Sequence, residues 1–243
     1  MSDLKSSTYH TPSPSNPKIL IAGGGLGGLT LAILLERASI DYEIFERSTT
    51  LKPLGSATSL APNVMPLLEQ LGLLEEIKKI SLEHISNGIY RESPDGESLD
   101  LLGKLDSKEP LSLPEFHSLL LSHVPSHKIH LGKRVLSISQ DDDNGVLIRT
   151  SDGMTHEGDI LVGCDGAYSS VRQSLYSIMK KEGSLPSSDG EEMKVCHMSI
   201  LGTTNSIDPS VMPLSKDGFA RCDAILGYNK PHSWRYFEVP GNR

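Results

Sequence analysis

The chain has 243 residues, with 31 acidic and 23 basic side chains and a formal net charge of −8 at pH 7. This length is enough for one large domain or two modest ones, and the 37% apolar and 22% charged fractions indicate an ordinary globular protein. The acidic balance, without a clustered basic stripe, argues against binding to nucleic acid or to an anionic membrane.

The N-terminal residues 1–17 are rich in Ser, Thr and Pro and lack an apolar core segment, which predicts a disordered leader and not a signal peptide. No apolar run approaches the roughly 20 residues that a membrane span needs, so no membrane segment is predicted. The cysteines Cys164, Cys196 and Cys222 form no CxxC pair. This spacing favours reduced thiols and a cytoplasmic location over a disulfide framework or a structural zinc site.

The first ordered unit is predicted to be a strand, a glycine-rich turn, a helix and a second strand. Residues 18–22 are a short apolar run, typical of a strand buried on both faces of a parallel sheet. Glycines cluster at 23–28, and apolar residues then recur at helical spacing between Leu31 and Ala38. Residues 41–46 are the second strand, which completes a βαβ unit.

The remaining elements alternate between helices and strands. Helices are predicted from an Asn63 cap to about Ile80, from 114 to about 124, and from Ser169, where Ser170 and Gln173 have the spacing of a capping box. Strands are predicted as a hairpin at 89–91 and 98–101, a meander at 135–139, 146–150 and about 155–157, and further strands at 160–162, 195–201, 224–228 and 234–239.

The glycine cluster has the spacing Gly23-x-Gly25-x-x-Gly28, and an acidic residue, Glu46, ends the next strand. This is the context that a dinucleotide-binding fingerprint requires. Gly23 allows a tight turn, Gly25 leaves room for a pyrophosphate, and Gly28 lets the helix pack closely on the strand. Glu46 can accept the ribose hydroxyls. The unit predicts an adenine-dinucleotide site and does not by itself distinguish FAD from NAD.

A second motif lies at residues 158–172, GDILVGCDGAYSSVR, where an apolar strand ends in Asp165-Gly166 and a helix carrying Arg172 follows. It resembles the Asp-Gly fingerprint of flavoprotein hydroxylases. Three further stretches are similar to the same family: Glu46-Arg47-Ser48, residues 55–63 with Ser59, and residues 133–136. From about residue 18 onward the chain therefore resembles the N-terminal portion of an FAD-dependent monooxygenase of the aromatic-hydroxylase (p-hydroxybenzoate hydroxylase-like) family.

This resemblance implies that FAD is the cofactor, that NAD(P)H is the reductant, and that one oxygen atom of O₂ passes to a small organic substrate in a hydroxylation or epoxidation. The flavin performs the chemistry in this family, so no catalytic side chain is assigned. The cofactor-binding residues that the motifs and the resemblance together indicate are Gly23, Gly25, Gly28, Glu46, Arg47, Ser59, Asp165 and Gly166.

The fold class expected is α/β, with a Rossmann-like FAD-binding domain at 18–180 that carries a small inserted hairpin near 88–101. Residues 193–243 are expected to be an incomplete β-sheet of a substrate domain. Two departures from the family pattern are present. Leu113 stands where the family has an Arg that holds the flavin, and no Gly-Asp segment follows Asp165. Both favour the alternative of a truncated, catalytically inactive fragment. A simple NAD-binding oxidoreductase is a further alternative, against which Asp165-Gly166 argues.

Two other patterns are set aside. His123, His127 and His130 have HxxxHxxH spacing, yet Pro125 interrupts any helix that would align them, so a solvated loop is expected and no metal site. The acidic run 141–144 lacks the glutamate of an EF-hand and is expected to be a hairpin turn. No GxSxG sequence supports a hydrolase.

Overall fold

The computed structural model describes residues 17–51, 58–105, 110–112, 115–141, 145–191, 198, 200, 220–229 and 232–237. Contacts divide these residues into two compact units. The first holds the described residues up to Leu51 and those from Val124 to Glu191, and the second holds those from Lys52 to His123 and from Glu192 onward. The described residues between 52 and 123 therefore group with those of the C-terminal segment.

The elements are as follows. The strands are β1 (Ile19–Ala22), β2 (Tyr42–Glu46), β3 (Thr58–Ser59), β4 (Ser81–Glu92), β5 (Leu99–Leu105), β6 (Pro110–Ser112), β7 (Ile129–Leu131), β8 (Val135–Asp141), β9 (Gly145–Thr150), β10 (Thr155–Gly158), β11 (Ile160–Gly163), β12 (Ala220–Leu226) and β13 (Ser233–Phe237). The α-helices are α1 (Leu26–Arg37), α2 (Met65–Gln70), α3 (Leu74–Ile80), α4 (Glu115–Ser122) and α5 (Ser170–Glu182).

The first unit is built on a parallel sheet with the strand order β11-β1-β2-β7. Strand β1 is buried along its whole length, as its apolar run predicted. The prediction of a solvated loop around His130 was wrong, because this residue lies in β7 and pairs with Phe45 of β2. Periodicity could not identify β7, since a strand of three residues is too short to show alternation.

An antiparallel meander, β8-β9-β10, is the second layer of the first unit and confirms the predicted three strands. Its buried residues Val135 and Ile148 join one apolar cluster with Leu20 of β1 and Phe45 of β2. Helix α5 contributes Val171 to the same cluster. The meander and α5 therefore bury apolar surface of the parallel sheet, and this burial is the main source of stability for such a layered unit.

The second unit contains a mixed sheet with the order β13-β12-β4-β6-β3, and β5 pairs with β4. The predicted hairpin around residues 94–96 is confirmed, with strands longer than the sequence indicated. Strand β12 runs parallel to β4, and β13 is antiparallel to β12. The β-like segment expected at 195–201 lies outside the described residues except for positions 198 and 200.

One helix prediction in the second unit was wrong in its detail. The helix expected to run from an Asn63 cap to about Ile80 is divided into α2 and α3. Gly72 between them has φ +67°, a left-handed conformation that ends a helix and that glycine adopts without strain. The residue that precedes α2 is Val64, and no side chain caps this helix. In the described part of the chain, no helix is long and apolar enough to cross a membrane.

Candidate cofactor site

The loop between β1 and α1 has a conformation that only glycine can adopt at its first position. Gly23 has φ +108°, and a Cβ built there would lie 2.3 Å from the carbonyl oxygen of Cys164. The Gly23 N–H donates to the carbonyl oxygen of Phe45 at 2.8 Å, which ties the loop to β2. The tight turn expected of Gly23 is therefore present, and the same residue also brings the loop against the strand end that precedes Asp165.

The other two glycines of the fingerprint differ sharply in their surroundings. A Cβ at Gly28 would lie 2.0 Å from the Gly23 carbonyl oxygen and 3.4 Å from Cγ2 of Ile21, which confirms the close packing of α1 on β1. A Cβ at Gly25 would meet no atom of the described residues within 4 Å. Gly25 is also the N-cap of α1 and supplies no side-chain cap. Open space thus lies beside a helix N-terminus, where backbone N–H groups and the helix dipole favour an anion such as a pyrophosphate.

The Glu46 carboxylate is held in a defined position beside this loop. Its Oε2 accepts the N–H of Gly24 at 2.7 Å, and its Oε1 accepts the N–H of Ser48 at 2.8 Å. An ionised carboxylate has about four acceptor positions, so each oxygen can still accept a ribose hydroxyl. Sequence reasoning identified Glu46 but not the two donors that orient it, since both are backbone N–H groups, which every residue except proline carries.

Asp165 takes part in the start of α5. Its Oδ2 accepts the N–H of Ser170 at 2.6 Å and that of Val171 at 3.3 Å. The N-cap is Ser169, whose hydroxyl oxygen accepts the N–H of Arg172 at 2.9 Å. The predicted capping box on Ser170 was therefore displaced by one residue, because consecutive serines give the sequence no means of choosing between them.

The second oxygen of Asp165 is not used in this way. Oδ1 is buried and has no hydrogen-bond partner among the described residues. A buried acceptor without a donor costs free energy that a bound hydroxyl or amide could recover. At the next residue, Gly166, a Cβ would meet no described atom within 4 Å. Asp165 thus combines a structural bond to α5 with one oxygen available to a ligand.

The two sequence motifs meet in space because β1 and β11 are neighbouring parallel strands. Ala22 pairs with Gly163, and the N–H of Cys164 donates to the Ala22 carbonyl oxygen at 2.7 Å. The carboxyl ends of both strands therefore lie at one edge of the sheet, which is where ligands of open α/β sheets bind. Burial, followed by the charge of Asp165, raises the pKa of the Cys164 thiol, so this cysteine is protonated and is no candidate nucleophile.

For the remaining predicted site residues, the structure gives a position in the fold. Arg47 follows β2 directly and is exposed. Ser59 belongs to the second unit, where the backbone of β3 pairs with that of β6. Leu113 lies outside the described residues. In the described ranges, no three His, Cys, Asp or Glu side chains are arranged to hold a metal ion.

The residues of the first unit fit the ADP part of a dinucleotide. The open space at Gly25 suits the pyrophosphate, and the oriented carboxylate of Glu46 suits a ribose with two free hydroxyls. The parallel sheet, the glycine loop and the acidic residue at the end of β2 define a dinucleotide-binding protein. The FAD binding domain family matches residues 16–202, and the chain belongs to this family, whose cofactor is FAD.

Known relatives are FAD-dependent monooxygenases of fungi. One from Calcarisporium arbuscula, aurC, is 29% identical over 236 residues, which cover 92% of this chain and 46% of the relative. Another from Emericella variicolor, andE, is 33% identical over 205 residues, or 78% of this chain and 42% of the relative. The chain thus spans less than half the length of these two relatives.

Solved structures show the same fold. The 2,6-dihydroxypyridine-3-hydroxylase from Arthrobacter nicotinovorans superposes with a TM-score of 0.59 at 26% identity, covering 68% of this chain and 41% of that one. HpxO of Klebsiella pneumoniae, complexed with FAD and uric acid, superposes with a TM-score of 0.55 at 24% identity. The superposition covers 64% of this chain and 41% of the HpxO chain. The expected fold, that of the aromatic hydroxylases, is confirmed.

Proposed function

We propose that this chain carries the ADP-binding part of the FAD site of a flavoprotein monooxygenase, which uses NAD(P)H and O₂ to hydroxylate or epoxidise a small organic substrate. The observation that carries the proposal is the Glu46 carboxylate, which Gly24 and Ser48 orient beside the open space at Gly25. The relatives described above, all FAD-dependent monooxygenases, support the reaction class.

Each residue of the site has a distinct part in the proposal. Glu46 accepts the two hydroxyls of the adenosine ribose, and its negative charge disfavours a 2′-phosphate. Gly25 leaves room for the pyrophosphate, toward which the first N–H groups of α1 provide a partial positive charge. Asp165 offers Oδ1 to a donor on the cofactor while Oδ2 holds the start of α5. FAD, when bound at these residues, would supply the redox chemistry between the nicotinamide and O₂.

The substrate class rests on the structural relatives. One of them is a hydroxylase of a dihydroxypyridine, and another binds uric acid. Both compounds are small, polar nitrogen heterocycles, so we propose a substrate of that size and polarity. A cytoplasmic location is part of the same proposal, supported by cysteines that form no CxxC pair.

Ligand titration tests the cofactor assignment. The purified chain is titrated with FAD, ADP, FMN and NAD⁺ by calorimetry, and the visible spectrum of FAD is recorded with and without protein. FAD and ADP should bind, and FMN, which lacks the adenosine half, should not. Binding of NAD⁺ with rejection of FAD would contradict the proposal and favour a simple NAD-binding oxidoreductase.

Turnover is tested separately. NADPH oxidation is followed at saturating FAD and O₂ with hydroxylated aromatic compounds, and products are analysed by mass spectrometry after reaction under ¹⁸O₂. Oxidation above the free-flavin background, with one ¹⁸O atom in the product, is the result expected of a monooxygenase. A rate equal to the background would favour the alternative of an inactive chain.

A further inference from the structure

A short segment, Gly132 to Arg134, connects the oriented Glu46 to a turn that no sequence motif singled out. The N–H of Lys133 donates to the Glu46 carbonyl oxygen at 2.8 Å, and the N–H of Gly132 donates to the Ser48 carbonyl oxygen at 2.9 Å. Glu46 and Ser48 are also bonded to each other, because the Glu46 carboxylate accepts the Ser48 N–H. The 132–134 segment is therefore bonded to the backbone of Glu46 and to that of Ser48, whose N–H holds the Glu46 carboxylate.

The turn between β9 and β10 holds the 132–134 segment through two side chains, Ser151 and Asp152, and the Asp152 carboxylate accepts from the Lys133 ammonium. The Ser151 hydroxyl donates to the Gly132 carbonyl oxygen at 3.1 Å and accepts the Arg134 N–H at 3.1 Å. The Ser151 N–H also donates to the Arg134 carbonyl oxygen at 2.9 Å. The hydroxyl thus spans both ends of the segment, on either side of the residue that is bonded to Glu46.

The turn itself closes without the Ser151 hydroxyl. The N–H of Thr150 donates to the Met154 carbonyl oxygen at 2.9 Å, and the N–H of Gly153 donates to the Thr150 carbonyl oxygen at 2.9 Å. The Thr150 hydroxyl is bonded to Asp152 at 2.6 Å, within the same turn. Ser151 is exposed, whereas Thr150 is fully buried. The hydroxyl of Ser151 is therefore directed entirely to the 132–134 segment, and turn formation does not account for it.

We infer that Ser151 is a positioning residue for the cofactor site, which acts on FAD affinity through the 132–134 segment and Glu46. This inference rests on the proposed function, because it assumes that Glu46 binds the ribose of FAD. Loss of the hydroxyl removes two of the bonds that hold the segment, while the Ser151 N–H and Asp152 still hold Arg134 and Lys133. Glu46 then loses part of the pre-organisation that lowers the entropic cost of binding.

A double-mutant cycle tests the inference. FAD and ADP affinities are measured by calorimetry for the full chain, Ser151→Ala, Glu46→Ala and the double variant. Ser151→Ala should weaken binding about three- to tenfold, a change of the size of one hydrogen bond, because the two bonds that it removes act on FAD only through Glu46. In the Glu46→Ala background the same change should have almost no further effect, because the residue through which Ser151 acts is gone.

Two further variants separate positioning from general stability. Ser151→Thr keeps the hydroxyl and should restore parental affinity. Ser184→Ala removes an exposed hydroxyl that donates to a carbonyl at the far end of α5, and it should leave affinity unchanged. Full additivity in the cycle, or parental affinity of Ser151→Ala, overturns the inference. If Glu46→Ala itself binds FAD like the parent chain, the proposed site fails instead.

Discussion

Gly23 and Gly25 stand two residues apart, yet the structure predicts opposite consequences for a methyl group added to each. Gly25 has φ −79° and ψ −173°, which any residue adopts, and its added Cβ would meet no described atom within 4 Å. Gly25→Ala should therefore change the free energy of unfolding by less than about 1 kcal/mol, because a stiffer unfolded chain and a poorer N-cap have opposing effects.

At Gly23 the same substitution meets two penalties. The conformation at φ +108° is strained for any residue with a side chain. The added Cβ would also overlap the carbonyl group of Cys164, which directly follows β11, the strand that pairs in register with β1. Each penalty costs about 1–3 kcal/mol, so Gly23→Ala should lower the free energy of unfolding by roughly 2–6 kcal/mol. Urea denaturation of the two variants measures this contrast directly.

The two glycines should also differ in how they affect FAD. Because the pyrophosphate is proposed to occupy the space at Gly25, a methyl there should weaken FAD binding by about 1–3 kcal/mol, roughly 5- to 150-fold in Kd, in a fully folded protein. Gly190→Ala is the matched control. It lies beyond α5, its Cβ also meets no described atom within 4 Å, and its FAD affinity should stay close to the parental value. If Gly25→Ala folds normally and binds FAD as the parent does, the pyrophosphate does not lie at this glycine.

Two more predictions concern stability in the first unit. Asp165→Ala removes the oxygen that accepts two N–H groups of α5, so the free energy of unfolding should fall by about 1–2 kcal/mol. Asp165→Asn keeps an acceptor and should be destabilised less. Equal losses of the two variants in urea denaturation would argue against this capping role of Asp165. His156 packs on Phe45 with ring centroids 4.5 Å apart, and burial holds the pKa of His156 below its ordinary value of 6.5. The unfolded chain therefore binds the proton first as pH falls, so stability present above about pH 6.5 is lost below it. As the pH is lowered from about 7.5 to 5.5, the temperature of thermal unfolding should fall more steeply for the parent chain than for His156→Gln. Parallel curves for the two proteins would contradict this prediction.

Local features of the chain were readable from the sequence because they depend on neighbouring residues. The turn at Gly23, the packing at Gly28 and the meander hairpins follow from glycine conformations and side-chain alternation, and the structure contains all of them. The errors were also local in kind. A three-residue strand such as β7 shows no period, and consecutive serines at 169 and 170 compete for one cap.

The sequence by itself determined that the fold is α/β, and it predicted a dinucleotide site that begins at Gly23 and includes Glu46 and Asp165. Only the tertiary structure decided how these residues meet. The pairing of β1 with β11 joins motifs some 140 positions apart, and the Gly24 N–H holds the Glu46 carboxylate while the Lys133 N–H is bonded to the Glu46 carbonyl oxygen. Strand order and register create such contacts between residues distant in the chain, and neither is encoded in the spacing of any one motif.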